Sequence, residues 1–413
     1  MAMVVGTIAL LVVASGIAMA EFSESSPLVG DLGAPRGLSV AANGDLLVAE
    51  QATGRVLQVD GAGAITVLVD GVVGVATGGG PEGTDAAGIT AALAVGDGLY
   101  FTTGEFDADG EAGFQTLYRQ AAGGEPEAVA DLFAYEQANN TDGETTPVEL
   151  LSNPYDLVAA PQGGVLVSDA GANAVLHIDG DGAVSPFAIF NQRPNPLGFG
   201  PPVMDQVPTG LTIGPDGAVY VSTLTGFPFP ADEARVYRLE DLNSDGDALD
   251  EGETTIFAEG LTTATDLAFD ADGSLLVTEF STDFLAQAPG RLVRIRDGVQ
   301  TTVAEGLVSP TAVLVNDGRI FVTQEFLGLV SEIQVLATET LSLAAGGDFV
   351  AWVFADTTAS AVFGDLRIAW IWSDRTWVAY VPLLGETDFA VPFGAVLFLV
   401  ADEATELAVP GRP

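Results

Sequence analysis

No cysteine and no lysine occur among the 413 residues, and histidine occurs once, at His177. Without cysteine, and with one histidine, Ser–His and Cys–His nucleophiles and His-ligated metal centres have little to draw on. No disulfide can help the fold, so stability has to come from core burial. Positive charge is scarce: 13 basic residues, every one an arginine, stand against 57 acidic ones, a formal net charge of −44. A chain this acidic repels nucleic acid and anionic lipid, which argues against both as partners. Apolar residues are not scarce. At 48% of the chain they can bury a large core, unlike a disordered acidic sequence. The acidity then reads as a solvated, salt-tolerant surface, or as a surface for a cation or a basic partner.

Residues 1–20, "MAMVVGTIALLVVASGIAMA", are nearly all apolar and end in Ala18-Met19-Ala20, the small-residue pattern of a signal-peptidase site. The first positive residue is Arg36, so the usual basic leader is missing. A signal peptide or an uncleaved N-terminal anchor is expected, and with either an extracellular, cell-surface or periplasmic location. Membrane contact is expected only if this segment is retained.

The stretch "VPTGLTIGPDGAVYVSTLTG", Val207 to Gly226, sets a pattern found five more times. Leu38-Ser39-Val40 leads through Asn43-Gly44 to Leu46-Leu47-Val48, and Leu93-Ala94-Val95 through Asp97-Gly98 to Leu99-Tyr100-Phe101. Three further copies turn at Gly163-Gly164, Asp272-Gly273 and Asp317-Gly318. An Asn-Gly or Asp-Gly pair between apolar runs marks a hairpin, because the tight turn needs positive φ. Most copies continue with a third run, such as "RVLQVD" or "AVLHID", and a fourth, such as "ITVLVDG" or "TTIFAEG". Four short strands repeating about every 50 residues are the signature of a β-propeller, whose blades bury their faces only by stacking. The expectation is an all-β chain with a six-bladed propeller over 21–337.

"TTIFAEGL" and "TTVAEGL" each precede a first strand, and "SSPLVGDL", Ser25 to Leu32, precedes the first blade in the same way. The last blade, from Val313 to about Leu336, supplies three clear strands. Residues 25–32 are therefore expected to pair there as the outer strand and close the ring, removing an open edge. Residues 338–413 hold all four tryptophans and no propeller hairpin. "DFVAWVF", "IAWIWSD", "WVAYVPL" and "AVLFLVAD" read as strands of a separate small C-terminal β-module.

With the copies aligned, the chain resembles secreted six-bladed NHL-like propellers. The resemblance is nearer to the ScyD/ScyE family, named for accessory proteins of scytonemin biosynthesis. It is carried by "NPYDLVAAPQGGVLVSDAGANAVLHID", "VPTGLTIGPDGAVYVSTLTGFPFPADEARVYRLEDLNSDGDALDEGE" and "TDLAFDADGSLLVTE", over roughly residues 25–337. What it implies is an exported propeller without an assigned reaction. The tail, beginning "LAAGGDFVAWVFAD", is similar to a small module found at the ends of other bacterial secreted proteins.

"DLNSDGDALDEGE", Asp241 to Glu253, is the sharpest local motif. Oxygen-bearing side chains alternate at Asp241, Asn243, Asp245 and Asp247, with Gly246 letting the chain fold back, the pattern by which one short loop wraps Ca²⁺. Asp250 or Glu253 would close the shell, because position twelve is Gly252. A structural calcium loop is expected; a solvated acidic hairpin tip is the alternative. The turn "FDADGEAG", Phe106 to Gly113, reads as a plain turn.

Six-bladed propellers also include metal-dependent lactonases and esterases with axial acids or amides near the starts of their first strands. The matching positions here are Arg36, Ala91, Tyr155, Thr209, Thr265 and Thr311, followed by Gly37, Ala92, Asp156, Gly210, Asp266 and Ala312. Only Asp156 and Asp266 are acids, so a hydrolase-type axial metal is doubtful. They serve either as ligand contacts or as acceptors for backbone amides. Arg36, Tyr155, Asp156, Thr209 and Asp266 are the candidate ligand-binding residues around the axis. Glu50, Thr103, Asp169, Thr223, Glu279 and Gln324 end the second strands and form either an acidic rim or turn caps. The connections "NQRPNPLGFGPPVMDQ" and "TGFPFPADEA" carry Phe199, Phe227 and Phe229, an apolar binding surface or packing over the channel mouth. His177 is expected to face out from a third strand. The reading is a binding or scaffold protein for a small molecule or an extracellular protein. A lactonase- or esterase-like hydrolase at the channel mouth is the alternative, and a structural surface protein a third.

Overall fold

A computed structural model of the chain describes residues 23–76, 86–105, 112–143, 150–336 and, with short gaps, 338–410. The apolar segment 1–20 and positions 106–111 of the acidic turn lie outside the described residues. Each repeat forms a four-stranded antiparallel sheet. Sheet I holds Pro35–Val40, Leu46–Glu50, Arg55–Val59 and Ile65–Val69 in spatial order. Sheet II starts with Ile89–Val95, sheet III with Pro154–Ala159 and sheet IV with Gln206–Ile213. Sheets V and VI start with Ala264–Phe269 and Pro310–Asn316. The turn glycines take the required positive φ, with Gly44 at 90°, Gly217 at 84° and Gly273 at 81°.

The apolar clusters lie between neighbouring sheets rather than within one. Leu47 of sheet I packs with Ile89 and Phe101 of sheet II, and Leu117 of sheet II with Leu157 and Leu176 of sheet III. Val175 and Phe187 meet Leu211 and Val221 of sheet IV, and Tyr220 and Val236 meet Leu267 and Leu275 of sheet V. Leu276 and Leu292 meet Val313 and Val322 of sheet VI, and Phe321 of sheet VI meets Leu46 and Leu57 of sheet I. That cycle of contacts is a β-propeller. Second strands such as Leu46–Glu50, Val165–Asp169 and Leu275–Glu279 are buried along their whole length, as strands with a neighbour on each face must be.

The outer strand of sheet VI is Ser23–Val29, antiparallel to Leu329–Val335, with Ser23 opposite Val335, Glu24 opposite Gln334 and Val29 opposite Val330. The N-terminal segment thus latches the last-formed sheet, as the repeat phase implies. A feature not anticipated is the helix Leu132–Asn139 between sheets II and III, where the Asp131 carboxylate caps the Ala134 N–H. Beyond residue 337 a sheet in the order Gly346–Ala351, Val396–Ala401, Ile368–Ser373, Thr376–Tyr380 carries its own core of Phe363, Leu366, Ile371, Leu397 and Leu399.

Candidate functional site

The start of each first strand carries three consecutive positions with different duties. The register aligns Pro35, Ile89, Pro154, Pro208, Ala264 and Pro310 opposite the ends of the second strands. The next residues are therefore Arg36, Thr90, Tyr155, Thr209, Thr265 and Thr311, so sheet II contributes Thr90 where the sequence alignment put Ala91.

The four threonines tie sheet to sheet. Thr90 Oγ1 donates to the Pro154 carbonyl at 2.8 Å, and Thr209 Oγ1 to Ala264 at 3.1 Å. Thr265 Oγ1 donates to Pro310 at 3.0 Å and Thr311 Oγ1 to Arg36 at 3.0 Å. Each hydroxyl also lies against the hydroxyl of Thr102, Ser222, Thr278 or Thr323 on its own second strand. Thr209 is fully buried and committed to this girdle, so it is not available as a ligand contact.

The third positions press on the next sheet. A Cβ on Gly37 would come within 2.5 Å of the Thr90 carbonyl, and one on Gly210 within 2.2 Å of an Asp266 oxygen, so only glycine fits at both. Asp156 accepts the Leu157 N–H and, from sheet IV, the Leu211 N–H, both at 2.8 Å. Asp266 does the same for Leu267 and, from sheet VI, Val313, again at 2.8 Å. Of the two roles foreseen for these acids, the backbone-acceptor role is the one seen. Burial pushes the Asp156 carboxyl up to about 7 against the pull of its two amide partners. Burial, then the charge of Asp156, holds Asp266 well above the ordinary carboxylate range.

The supposed acidic rim is buried and capping. Glu50, Asp169, Glu279 and Gln324 accept the backbone N–H of Gly33, Asn153, Thr262 and Val308 at 2.7, 2.6, 2.8 and 2.9 Å. They brace the segments leading into the first strands, and no rim of free carboxylates results. His177, on the third strand Ala174–Ile178, places Nε2 2.7 Å from the Gly163 carbonyl, a turn contact.

What faces the mouth of the ring is aromatic. A cavity of about 200 Å³ is lined by Arg36, Tyr155, Thr265 and Thr311, all at the starts of first strands, with Leu224, Phe280, Phe284, Glu325 and Phe326 around them. The Arg36 guanidinium lies 4.2 Å over the Tyr155 ring. Burial pushes the Tyr155 phenol above its ordinary value. A groove of about 400 Å³ between sheets V and VI shares Phe280, Phe284 and Phe326 as walls and adds Gln287, Pro289 and Val308. From there the aromatics continue outward. Ring centroids are 6.0 Å apart for Phe326–Phe280, 6.1 Å for Phe280–Phe284 and 4.5 Å for Phe284–Phe229. Phe229–Phe227 follows at 6.1 Å and Phe227–Phe199 at 6.3 Å.

The result is one chain of six phenylalanines across three blades. Phe199 and Phe227 are half exposed and Phe284 is exposed as well. Phe199 is held by Asn195, whose side-chain amide donates to the carbonyls of Phe199 and Pro201. Sequence reasoning found Phe199, Phe227 and Phe229 and missed Phe280, Phe284 and Phe326. The signal was present: "TEF" and "QEF" place a phenylalanine just after two second strands.

Neither a protein-family model nor a curated protein matches the sequence. Solved structures do resemble it in shape. One is an inactive virginiamycin B lyase from Staphylococcus aureus with quinupristin (14% identity, 76% of this chain and 100% of that chain, TM-score 0.45). Others are a gluconolactonase from Xanthomonas campestris (16% identity, 76% and 90%, TM-score 0.47) and the PQQ-bound aldose sugar dehydrogenase from Streptomyces coelicolor (16% identity, 77% and 99%, TM-score 0.47). At such identities and scores these likenesses bear on neither ligand nor reaction.

The Asp241–Glu253 loop joins the third and fourth strands of sheet IV, so antiparallel alternation puts it on the face opposite the aromatic mouth. Asp241 accepts the N–H groups of Ser244, Asp245 and Gly246, and Asp247 accepts Leu249. The buried Glu253 carboxylate accepts Leu242, Asn243 and Asp250, tying the loop's two ends together. Asp250 instead accepts the Asn243 side-chain amide at 2.6 Å. Among the described residues no three His, Cys, Asp or Glu side chains converge as a metal-ligand set.

Proposed function

We propose that this chain is an exported six-bladed propeller of the ScyD/ScyE type, with a C-terminal β-module, that binds a small apolar or aromatic molecule at its axial mouth. The single observation that supports this is the run of six phenylalanines leading into a cavity whose floor is Arg36 on Tyr155. Exposed aromatic rings in contact along a line are costly in water and are relieved by a ligand that covers them. The concave, largely apolar setting is the usual form of a small-molecule site. The remaining duties of the mouth-end positions are structural, since the threonines and the two aspartates are spent on sheet-to-sheet hydrogen bonds.

The neutral fluorophore N-phenyl-1-naphthylamine tests this reading. It should brighten on binding, and Phe284→Ser or Phe280→Ser should weaken binding about tenfold, the share of one buried aromatic contact. Phe257→Ser, at an exposed ring on the outer strand of sheet IV, should leave binding unchanged. Equal loss in all three variants, or no binding, overturns it.

We also propose that the loop Asp241, Asn243, Asp245, Asp247 and Asp250 takes up Ca²⁺ as a structural ion. Its support is the alternation of oxygens about Gly246, whose φ is 102°, and the ordered turns that carry them. Binding requires the carboxylates to turn from their amide partners towards a shared centre.

A further inference from the structure

Arg36 departs from the other buried or half-buried arginines. Arg55, Arg193, Arg238, Arg291, Arg294 and Arg319 each hold a carboxylate within 3.1 Å, and Arg235 holds Glu259 at 3.5 Å. The nearest carboxylate oxygen to Arg36, on Glu325, is 3.9 Å away, and only 18% of the Arg36 side chain is exposed. Its other polar contact is the Gln51 side chain, with the amide oriented so that oxygen accepts from Nη1 at 3.3 Å and nitrogen donates to Glu325 at 2.8 Å. Glu325 is thus partly satisfied by Gln51 rather than by the arginine. The Arg36 Nε is buried and has no partner. A guanidinium is never deprotonated, and its planar fork is costly to desolvate with donors unmet. It sits at a cavity whose remaining walls are Tyr155, Leu224, Thr265, Phe280, Phe284, Thr311 and Phe326, with the Glu325 carboxylate, held by Gln51, at its edge.

We propose that the mouth ligand is an apolar anion, an aryl or alkyl carboxylate whose acid group pairs with Arg36 while its apolar body lies along Phe284 and Phe280. This rests on the mouth being the ligand site and specifies what it takes. A carboxylate matches the guanidinium fork bidentately and supplies the acceptor that Nε lacks, closer than the 3.9 Å of Glu325. The strongly acidic surface repels such an anion at long range, but that repulsion is screened within about 8 Å at physiological salt, whereas the pairing occurs inside the cavity. The pairing moves Arg36 off Glu325, which Gln51 continues to hold.

Two naphthalene probes of equal bulk separate the parts of the proposal in isothermal titrations of the full chain: 2-naphthoate and the neutral 2-naphthalenemethanol. Wild type should bind naphthoate at least about tenfold more tightly, the increment of a charge-assisted hydrogen bond. Arg36→Gln should bring the two probes within about twofold, and Arg36→Lys should keep part of the preference. Raising NaCl from about 0.05 to 0.5 M should leave the naphthoate preference in place, because salt screens the long-range repulsion from the acidic surface and screens the pairing inside the cavity much less. The comparison of acid and alcohol on wild type decides the matter even where a variant fails to fold. If the alcohol binds as well as the acid and Phe284→Ser weakens both, the apolar site stands and the anion assignment falls. A naphthoate preference that survives Arg36→Gln overturns the assignment too, and absence of binding by both probes overturns the assignment and the site together.

Discussion

Ring closure by the N-terminal strand can be tested with a covalent staple, and the chain is well suited to it because it has no cysteine of its own. Glu24 lies directly opposite Gln334, and both side chains are exposed, so Glu24→Cys with Gln334→Cys leaves the core untouched. Directly opposed residues of an antiparallel pair have Cα atoms about 4.5 or 5.5 Å apart, inside the range that a disulfide spans. The bond closes a loop of about 310 residues, and the chain-entropy relation then gives about 6 kcal/mol as an upper bound. With an unfolding entropy of about 2.1 cal/mol/K per residue over some 310 residues, that corresponds to about 9 °C in Tm. The oxidised protein should migrate faster on non-reducing gels and melt several degrees above its reduced form. Glu24→Cys with Thr66→Cys, an exposed position on the outer strand of sheet I, is the matched control and should stay reduced. If the control pair bridges as readily, or the Glu24/Gln334 pair never forms, the N-terminal strand is not the latch and the ring assignment goes with it.

Two further outcomes follow from buried and acidic groups. Asp156, pushed to about 7, and Asp266, also raised, bind protons more tightly folded than unfolded, so their contribution to stability is complete below about pH 4, and that of Asp156 is lost as pH rises through 7. The melting difference between wild type and Asp156→Ala/Asp266→Ala should therefore shrink from pH 4.5 to about 7.5; a difference that grows refutes the shifts. Calcium at about 100-fold over its Kd should raise Tm by about 4 °C, from about 2.7 kcal/mol of linkage, with chelator reversing it and Asp245→Ala abolishing it. An unchanged melting temperature ends the calcium proposal.

How much of this was legible depends on the kind of signal. The hairpins were readable because Asn43-Gly44, Asp216-Gly217 and Asp272-Gly273 need positive φ, a local requirement with a local residue signature. The N-terminal latch was readable from phase, since Ser25–Leu32 stands before sheet I as Thr254–Leu261 stands before sheet V. The offset at Thr90 was not readable, because only the ladder, with Ile89 opposite Thr103, fixes which residue opens the strand. The burial of Glu50, Asp169 and Glu279 was equally hidden. A carboxylate at a strand end looks the same in sequence whether it meets solvent or a backbone N–H from the preceding segment. The helix Leu132–Asn139 gave little amphipathic signal, as its eight residues bury only Leu132, Phe133 and Glu136.

The repeat itself points to where function was placed. Four of six sheets keep threonine at the second position of the first strand, and five keep a hydroxyl facing it from the second strand: Thr102, Ser168, Ser222, Thr278 and Thr323. Sheet III gives up one member for Tyr155 but retains Ser168, which still donates to the Thr209 carbonyl. Sheet I gives up both, with Arg36 on one strand and Ala49 on the other, and ties to sheet II instead through Ser39 and the Ala92 carbonyl at 2.6 Å. A girdle bond was surrendered at two positions, and the replacements, from sheets that are not neighbours, meet over the axis at 4.2 Å. Stability alone favours a threonine at both, because each could add a sheet-to-sheet hydrogen bond of the kind made at the other four positions. Where a sequence breaks its own structural rule at a small number of positions that touch one another, the break supports the proposed site there. Arg36 and Tyr155 are that break, and the aromatic path from Phe199 to Phe326 ends on them.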